Sequence, residues 1–503
     1  MTSSAFARIA GAALLAVGSV ATFVSASGPA AAAPGANPVN PYGGLGRQHP
    51  DWQACPGNQD PVTYCADIEV PMDWYDPSKG TISVHITRVP GTGGAARRGI
   101  LMVDPGGPGS DGSALATTTA KDQPDLLHAY DLIGFAPRGV APSTKLDCGI
   151  DWTRYTPVAD ERDRSAANTA RQLADARLIG QSCGAAPLAP YITSDQTIRD
   201  MDLIRAVLGE RKLNYLGFSY GTWLGSWYAA TFRDRVDRFV LDSNLNWLTT
   251  LQEDYVHAWA HGFQRRYDTQ FIPWLARHDD RYGFGTTPEA ARAALADLRT
   301  AVAAQDRGSA LDVGQAHALY NSDAWPQWAE LLKTLRADPT QAPKLLAPTR
   351  VPTGKPDSGA FWAVLCADSP WTHDPASWVA AGDQLGADYP LVGAESTEEP
   401  CAFYPFASQH PVHPGGDSLP RLLMVQNQVD PAAPAEGAIA DAVDAHEPMV
   451  FVRNAGNHIA YDTGNTCVDT HVNDYLVRGR PAASAVCEGL PLPFDDRVYE
   501  TGL

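Results

Sequence analysis

The stretch Tyr215–Gly225, YLGFSYGTWLG, decides the fold. Ser219 stands between an apolar run of strand length, Leu213–Gly217 (LNYLG), and a run of helical length, Tyr220–Phe232, with small residues on one side. Gly217 precedes the serine by two positions and Gly221 follows it by two. A nucleophile lifted out of a sheet at a strand-to-helix bend takes a strained backbone conformation and packs closely, which requires such glycines. Gly-x-Ser-x-Gly alone is a weak signal, because both residues are common; placed between strand and helix it is much stronger. The helix beyond the bend also directs its first N–H groups towards an incoming anion.

Outward from this bend the chain alternates. Thr81–Pro90 (TISVHITRVP) has the period of a strand, and Gly99–Pro105 (GILMVDP) and Tyr130–Gly139 (YDLIGFAPRG) are short apolar runs closed by Gly or Pro. Between Asp195 and Gly209 most apolar residues recur three or four apart, which predicts a helix with Asp195 as a possible cap. Arg238–Ser243 (RFVLDS) is again a strand. Strands alternating with helices predict an α/β fold with a mostly parallel sheet. From about Leu245 to Asp417 the pattern is helical and Trp-rich, with helices expected at Glu253–Phe271, Pro288–Ala303 and Ala324–Leu335. Strands return at Arg421–Gln426 (RLLMVQ) and Pro448–Asn454 (PMVFVRN). A helical block between two strands of one sheet reads as an inserted cap; an independent second domain is the alternative.

Composition bounds the function. The 503 residues are 44% hydrophobic and 19% charged, as in globular proteins, and the net charge of −19 argues against a nucleic-acid partner. Met1–Arg8 carries one base and no acid, Ile9–Val24 is small and apolar, and VSA (Val24–Ala26) and AAA (Ala31–Ala33) follow. That is the layout of a secretory signal peptide. Eight cysteines follow it: Cys55, Cys65, Cys148, Cys183, Cys366, Cys401, Cys467 and Cys487. An even count in an exported chain reads as disulfides. The sequence does not fix their connectivity, and neighbour with neighbour is the expected pairing. No C-x-x-C pair occurs, and His410 and His413 lie in a Pro/Gly loop without zinc spacing, so neither metal nor cofactor is expected.

A serine nucleophile needs a base, and the base an orienting acid, in the order Ser, acid, His for this fold. Asp430 follows a strand after a short loop and is the first candidate acid; Asp242, ending the preceding strand, is the second. His458 lies in a loop just past a late strand (VFVRNAGNHIAYD), whereas His471 falls in a helical stretch. Oxyanion donors are expected in DPGGPGSDG (Asp104–Gly112). Pro108 has no N–H, which favours Gly107 or Gly106, with the Tyr220 N–H as the second donor.

PGGPG, DLIGFAPRG, GFSYGTWLG, the Asp430 loop and GNH together resemble the secreted bacterial tripeptidyl aminopeptidases, of the proline-iminopeptidase-like branch of the α/β-hydrolases. The resemblance covers nearly the whole mature chain. It departs at Ala136, where Asp is usual, at Asn457, where Gly commonly precedes the histidine, and at Ala433, where Thr often follows the acid. It implies a triad of Ser219, Asp430 and His458 that removes short peptides from free N-termini. The expected organisation is a signal peptide at 1–33, a hydrolase core at 34–244 and 418–503, and a helical cap at 245–417. The expected partners are peptides, with no nucleic acid and no membrane after signal cleavage. An esterase on small acyl or natural-product esters is the second enzyme reading, and a non-catalytic surface protein the reading from another class. Release of short N-terminal peptides requires a groove closed at one end, which Trp259, Trp274, Trp325, Trp328 and Trp362 of the cap can wall. A buried α-ammonium requires a carboxylate. Asp368, beside Cys366, is the leading candidate, with Glu398 and Glu399 as alternatives; solvated surface acids are the bland reading of all three.

Overall fold

The computed structural model describes residues 42–56, 63–346 and 359–502, so the expected leader at 1–33 lies outside the described residues. Ten strands form one sheet: β1 (Gln53–Ala54), β2 (Tyr64–Pro71), β3 (Thr81–Val89), β4 (Gly99–Asp104), β5 (Tyr130–Phe135), β6 (Leu213–Phe218), β7 (Val236–Asp242), β8 (Leu423–Asn427), β9 (Met449–Arg453) and β10 (Ala485–Glu488). Their spatial order is β1-β2-β3-β5-β4-β6-β7-β8-β9-β10. The pairs from β5 and β4 through to β10 are parallel; the β1-β2, β2-β3 and β3-β5 pairs are antiparallel. Every residue of β4, β5, β6 and β8 is buried, because helices cover both faces, which is why these strands read as unbroken apolar runs. β2 and β3 alternate more and lie towards one edge. This is the α/β-hydrolase arrangement.

Four helices flank the early strands: α1 (Leu115–Asp122), α2 (Ala166–Ala185), α3 (Ser194–Val207) and α4 (Tyr220–Thr231). Asp195 does not cap α3. Thr193 does, its hydroxyl accepting from Gln196 N, and Asp195 sits in the first turn. Because β4, β6, β7, β8 and β9 lie side by side and run parallel, their carboxyl ends share one edge. Asp104, Ser219, Asp242, Asp430 and His458 end or follow these strands in turn, and ligands of open α/β sheets bind at such an edge.

Between β7 and β8 the described chain is helical and is shared between two cores. Residues 260–346, with Leu391 and Val392, bury a cluster of their own around Trp274 and Trp325. Helices Gly359–Ala367 and Pro375–Asp388 instead bury Trp362, Cys366, Trp378 and Leu385 in the cluster on one face of the sheet. Trp274 and Trp325, expected in a wall, are fully buried within that first core and meet edge to face at 5.4 Å. The expected helix Glu253–Phe271 is broken into an α-helical turn pair, Trp259–Arg266, flanked by π-helical segments at Glu253–Ala258 and Tyr267–Phe271. Four disulfides join neighbouring cysteines: Cys55–Cys65, Cys148–Cys183, Cys366–Cys401 and Cys467–Cys487. Among the described residues no helix is long and apolar enough to cross a membrane. Cys467, His471 and Cys487 lie close enough to hold an ion, but the two cysteines are bonded to each other.

Candidate active site

Ser219 occupies the bend between β6 and α4 with φ of 56° and ψ of −126°. A non-glycine residue with positive φ is strained and persists only where its surroundings hold it. They do so here. Ser219 N donates to Asp242 O at 3.0 Å, and Ser219 O accepts from Thr222 N at 2.8 Å and from the Thr222 hydroxyl at 2.6 Å. Gly221 is required by close approach: a Cβ there would fall 2.9 Å from Asp104 Oδ1 and 3.0 Å from Asp104 O.

The structure brings His458 and Asp430 together, with His458 Nδ1 2.9 and 3.0 Å from the two carboxylate oxygens. Asp430 is fully buried, and its Oδ1 also accepts from Ala432 N and Ala433 N at 2.9 and 3.0 Å. Asp242 does something else. Its carboxyl accepts from the backbone of the histidine loop, at Ala460 N (3.1 Å) and Tyr461 N (2.7 Å), while its carbonyl receives Ser219 N. Asp242 therefore ties the serine bend to the histidine loop, and burial pushes its carboxyl up to about 7. The loop is also tied to the helical insertion. His458 N donates to Tyr320 O at 2.8 Å, and Asn457 Oδ1 accepts from Ser322 N at 2.9 Å and Arg266 Nη2 at 2.6 Å. The Tyr320 ring meets the imidazole edge to face, with centroids 5.5 Å apart.

The glycine loop after β4 lies against the start of α4. Gly106 has φ of +87°, and a Cβ there would fall 2.8 Å from Tyr220 N and 3.0 Å from Gly221 N. Its own N–H donates to Asp104 Oδ1 at 2.7 Å, so of the two glycines considered as oxyanion donors Gly107 has the N–H left over. The peptide joining them is oriented by Gly106 O, which accepts from Ser110 N at 3.3 Å, and the next carbonyl, Gly107 O, accepts from the Tyr255 hydroxyl at 2.8 Å. Tyr255 lies in the first π-helical segment, which thus meets the loop directly.

The three candidate amine acids have different surroundings. Asp368 is buried beneath Tyr220. Its Oδ1 accepts from Ser194 N at 2.9 Å, and its Oδ2 from the Ser194 hydroxyl and from the Tyr220 hydroxyl, the latter at 3.4 Å. Glu399 Oε1 accepts from Cys401 N at 2.9 Å and caps a short helical turn. Glu398 belongs to a carboxyl cluster that the sequence did not reveal. Burial and the neighbouring charges of Glu161 and Asp175 raise it well above the carboxylate range, and the Tyr155 hydroxyl donates to it at 3.1 Å. Burial, with the charges of Asp312 and Asp160, raises Glu161 to about 8, and burial with the charges of Glu161, Asp312 and Glu398 raises Glu395 well above the carboxylate range. Glu161 and Glu395 are half-buried, whereas Glu398 is buried. Asp175 Oδ2 and Glu395 Oε1 are buried without a partner among the described residues. The nearby Arg162 and Arg299 are engaged by Asp312 at 2.6 and 2.8 Å, and among the described residues no cation pairs with Glu161, Glu395 or Glu398. Burial, with Asp430 and Glu395 both close enough to act on it, pushes the Tyr320 hydroxyl up to about 12. Tyr320 thus lies within electrostatic reach of both the His458 partner and the cluster.

A strained serine at a strand-to-helix bend, a buried aspartate on a histidine and a glycine loop at one sheet edge define a serine hydrolase of the α/β-hydrolase class. Residues 389–487 match a family model described as TAP-like protein. Over 472 residues the chain is 31% identical to a tripeptidyl aminopeptidase of Streptomyces lividans, covering 87% of this chain and 86% of that one. It is 29% identical to carboxylesterase B of Mycobacterium tuberculosis (84% and 86% covered) and 27% identical to serine protease Hip1 of the same organism (87% and 90%). The chain belongs to the tripeptidyl aminopeptidase family, serine peptidases built on the α/β-hydrolase fold.

Proposed function

We propose that this protein is an exported aminopeptidase that releases di- or tripeptides from free N-termini through an acyl-enzyme. Ser219 attacks the scissile carbonyl, and His458 takes its proton and returns it to the leaving amine. Asp430, on Nδ1, holds the imidazole in the tautomer that leaves its other nitrogen free to act, and steadies the imidazolium. The N–H groups of Gly107 and Tyr220 receive the oxyanion. Water then cleaves the acyl-enzyme by the same steps in reverse roles. The helical insertion at 245–417 acts as the cap that closes one end of the cleft. Export is supported by the leader-like segment at 1–33 and by the four disulfides.

The observation that carries the exopeptidase reading is the carboxyl cluster beyond Tyr320. An α-amine is largely cationic near neutral pH, and burying it requires a counter-charge. Glu161, Glu395 and Glu398 provide it. Empty, they retain protons because burial and mutual repulsion disfavour charge; an arriving ammonium reverses that balance. Asp368 and Glu399 are spent on protein donors and do not serve. Tripeptide anilides with free and N-acetylated ends, and a small neutral ester, test the reading. Acetylation is expected to lower kcat/KM by about a hundredfold or more, and Glu398→Gln to raise KM for the free peptide while sparing the ester. Efficient cleavage of acetylated peptides by the wild type would overturn it, and turnover confined to esters would favour the esterase reading.

A further inference from the structure

Asp104 is the last residue of β4 and is almost fully buried, yet the triad does not use it. One carboxyl oxygen is committed to the glycine loop, through the 2.7 Å bond from Gly106 N. The other, Oδ2, has no partner among the described residues. It borders a small cavity of about 10 Å³, room for a single water at most, lined also by Gly106, Arg138, Thr197, Tyr220 and Ala360. Asp104 lies in register with Gly217 on β6, and its Oδ1 blocks the space where Gly221 would carry a Cβ. It therefore touches both walls of the oxyanion site, the glycine loop and the start of α4.

We propose that Asp104 is the positioning residue of the oxyanion site, holding the Gly106 N–H so that the Gly107 N–H faces the serine, and that it performs this task uncharged. The inference rests on the serine-hydrolase reading given above. Its geometry is a division of labour along two peptide units. The Pro105–Gly106 unit is fixed by Asp104 through its N–H, and the Gly106–Gly107 unit by Ser110 N through its carbonyl, so the Gly107 N–H is turned to the opposite side. A charge on Asp104 would oppose the oxyanion forming beyond that loop.

The groups facing Asp104 leave it without a counter-charge. Tyr215 on β6 gives its hydroxyl to Gly221 O at 2.8 Å. The Tyr220 hydroxyl on α4 is engaged with Ser194 and Asp368. Arg138, after β5, is held by Asp200, with Nη2 2.6 Å from Oδ1, and by backbone carbonyls of Pro71, Met72 and Tyr191. Burial accordingly pushes the Asp104 carboxyl up to about 7, with the Gly106 N–H pulling the other way. The uncharged form, and the well-formed hole, are present below that pH and are lost as pH rises through it.

The test is the rate of Ser219 phosphonylation by an uncharged fluorophosphonate across pH, in wild type, Asp104→Asn and Asp104→Ala. The reagent's phosphoryl oxygen must enter the oxyanion site, and it carries no amine to titrate. Asn keeps the acceptor for Gly106 and cannot ionise; its rate is expected within about threefold of wild type at pH 6 and without the alkaline fall near pH 7. Ala lacks the acceptor, and its rate is expected to drop about tenfold to a hundredfold at all pH, less than loss of a whole oxyanion donor. The same alkaline fall in Asp104→Asn overturns the inference, as does a folded Asp104→Ala that reacts at the wild-type rate. If Asp104→Ala does not fold, the Asn profile decides. A wild type that is phosphonylated but turns over no peptide refutes the aminopeptidase reading and leaves this one standing, whereas a wild type that is never phosphonylated refutes both.

Discussion

Two aspartates stand at the carboxyl ends of neighbouring strands beside the serine, Asp242 as the last residue of β7 and Asp430 in the loop after β8, and their hydrogen bonds set their tasks apart. Asp430 holds the imidazole itself, at 2.9 Å; Asp242 holds the backbone two and three residues further on. Asp430→Asn is therefore expected to lower kcat by about a thousandfold or more with little change in KM, approaching the Ser219→Ala baseline. Asp242→Asn is expected to lower the melting temperature first and to keep kcat within about tenfold, because the loop loses part of its tether but the histidine keeps its partner. Steady-state kinetics beside thermal unfolding separates the two, and an Asp242→Asn enzyme as inactive as Asp430→Asn would reverse the assignment. The sequence carried these residues because each follows a strand at a recognisable motif, and Gly106 was separated from Gly107 only by the Asp104 bond. The carboxyl cluster was hidden for the opposite reason: Glu161, Glu395 and Glu398 come from two distant segments, and Tyr320, which adjoins them, from a third. Nothing in local spacing unites them.

At the scale of elements, legibility followed burial. β4, β5, β6 and β8 are buried on both faces and announced themselves. α2 did not, since Asn168, Gln172 and Asp175 occupy its buried face beside Ala176 and Ile179, which erases the helical period. Gly359–Ala367 was missed because it is apolar all round. The break of Glu253–Phe271 into π-helical segments leaves no periodic trace either, though it sets Tyr255 against Gly107. The last disulfide makes a prediction of this scale. Cys467 opens the helix Thr466–Leu476, and Cys487 lies in β10, so the bond spans 20 residues and fastens the edge strand to the helix after the histidine loop. Closing such a loop contributes about 3 kcal/mol in the chain-entropy model. The histidine loop itself is held by Asp242, Ser243 and Tyr320. The paired Cys467→Ser, Cys487→Ser variant should lose stability by about that amount in denaturant titration while kcat stays within about threefold. A collapse of kcat at unchanged stability would contradict this.

Across the whole molecule the buried carboxyls set the pH response. Burial pushes Asp104, Asp242, Asp368 and Glu447 up to about 7, Asp254 to about 8 and Asp441 to about 9. From about pH 4 to beyond pH 7 the native chain thus holds more protons than the unfolded one, and stability falls as pH rises. The net charge of −19 adds repulsion in the same direction. Asp202 opposes this at the acid end: burial raises it, but the Arg205 hydrogen bond and charge bring it below its ordinary value, and that contribution is lost in strong acid. Thermal unfolding should give a melting temperature several degrees higher near pH 5 than near pH 8; an equal or higher value at pH 8 would show that the buried acids are ionised at little cost.

The histidine loop also bears on how such enzymes change over evolution. His458 hangs from the sheet on one side and from Tyr320, Ser322 and Arg266 on the other. The helices between β7 and β8 are therefore not an interchangeable attachment. A block spliced in from a relative would have to supply a carbonyl where Tyr320 gives one, and donors for Asn457, or the histidine would lose half its mounting. Change in the insertion is constrained by the mounting of the histidine, and change in the histidine loop by the insertion.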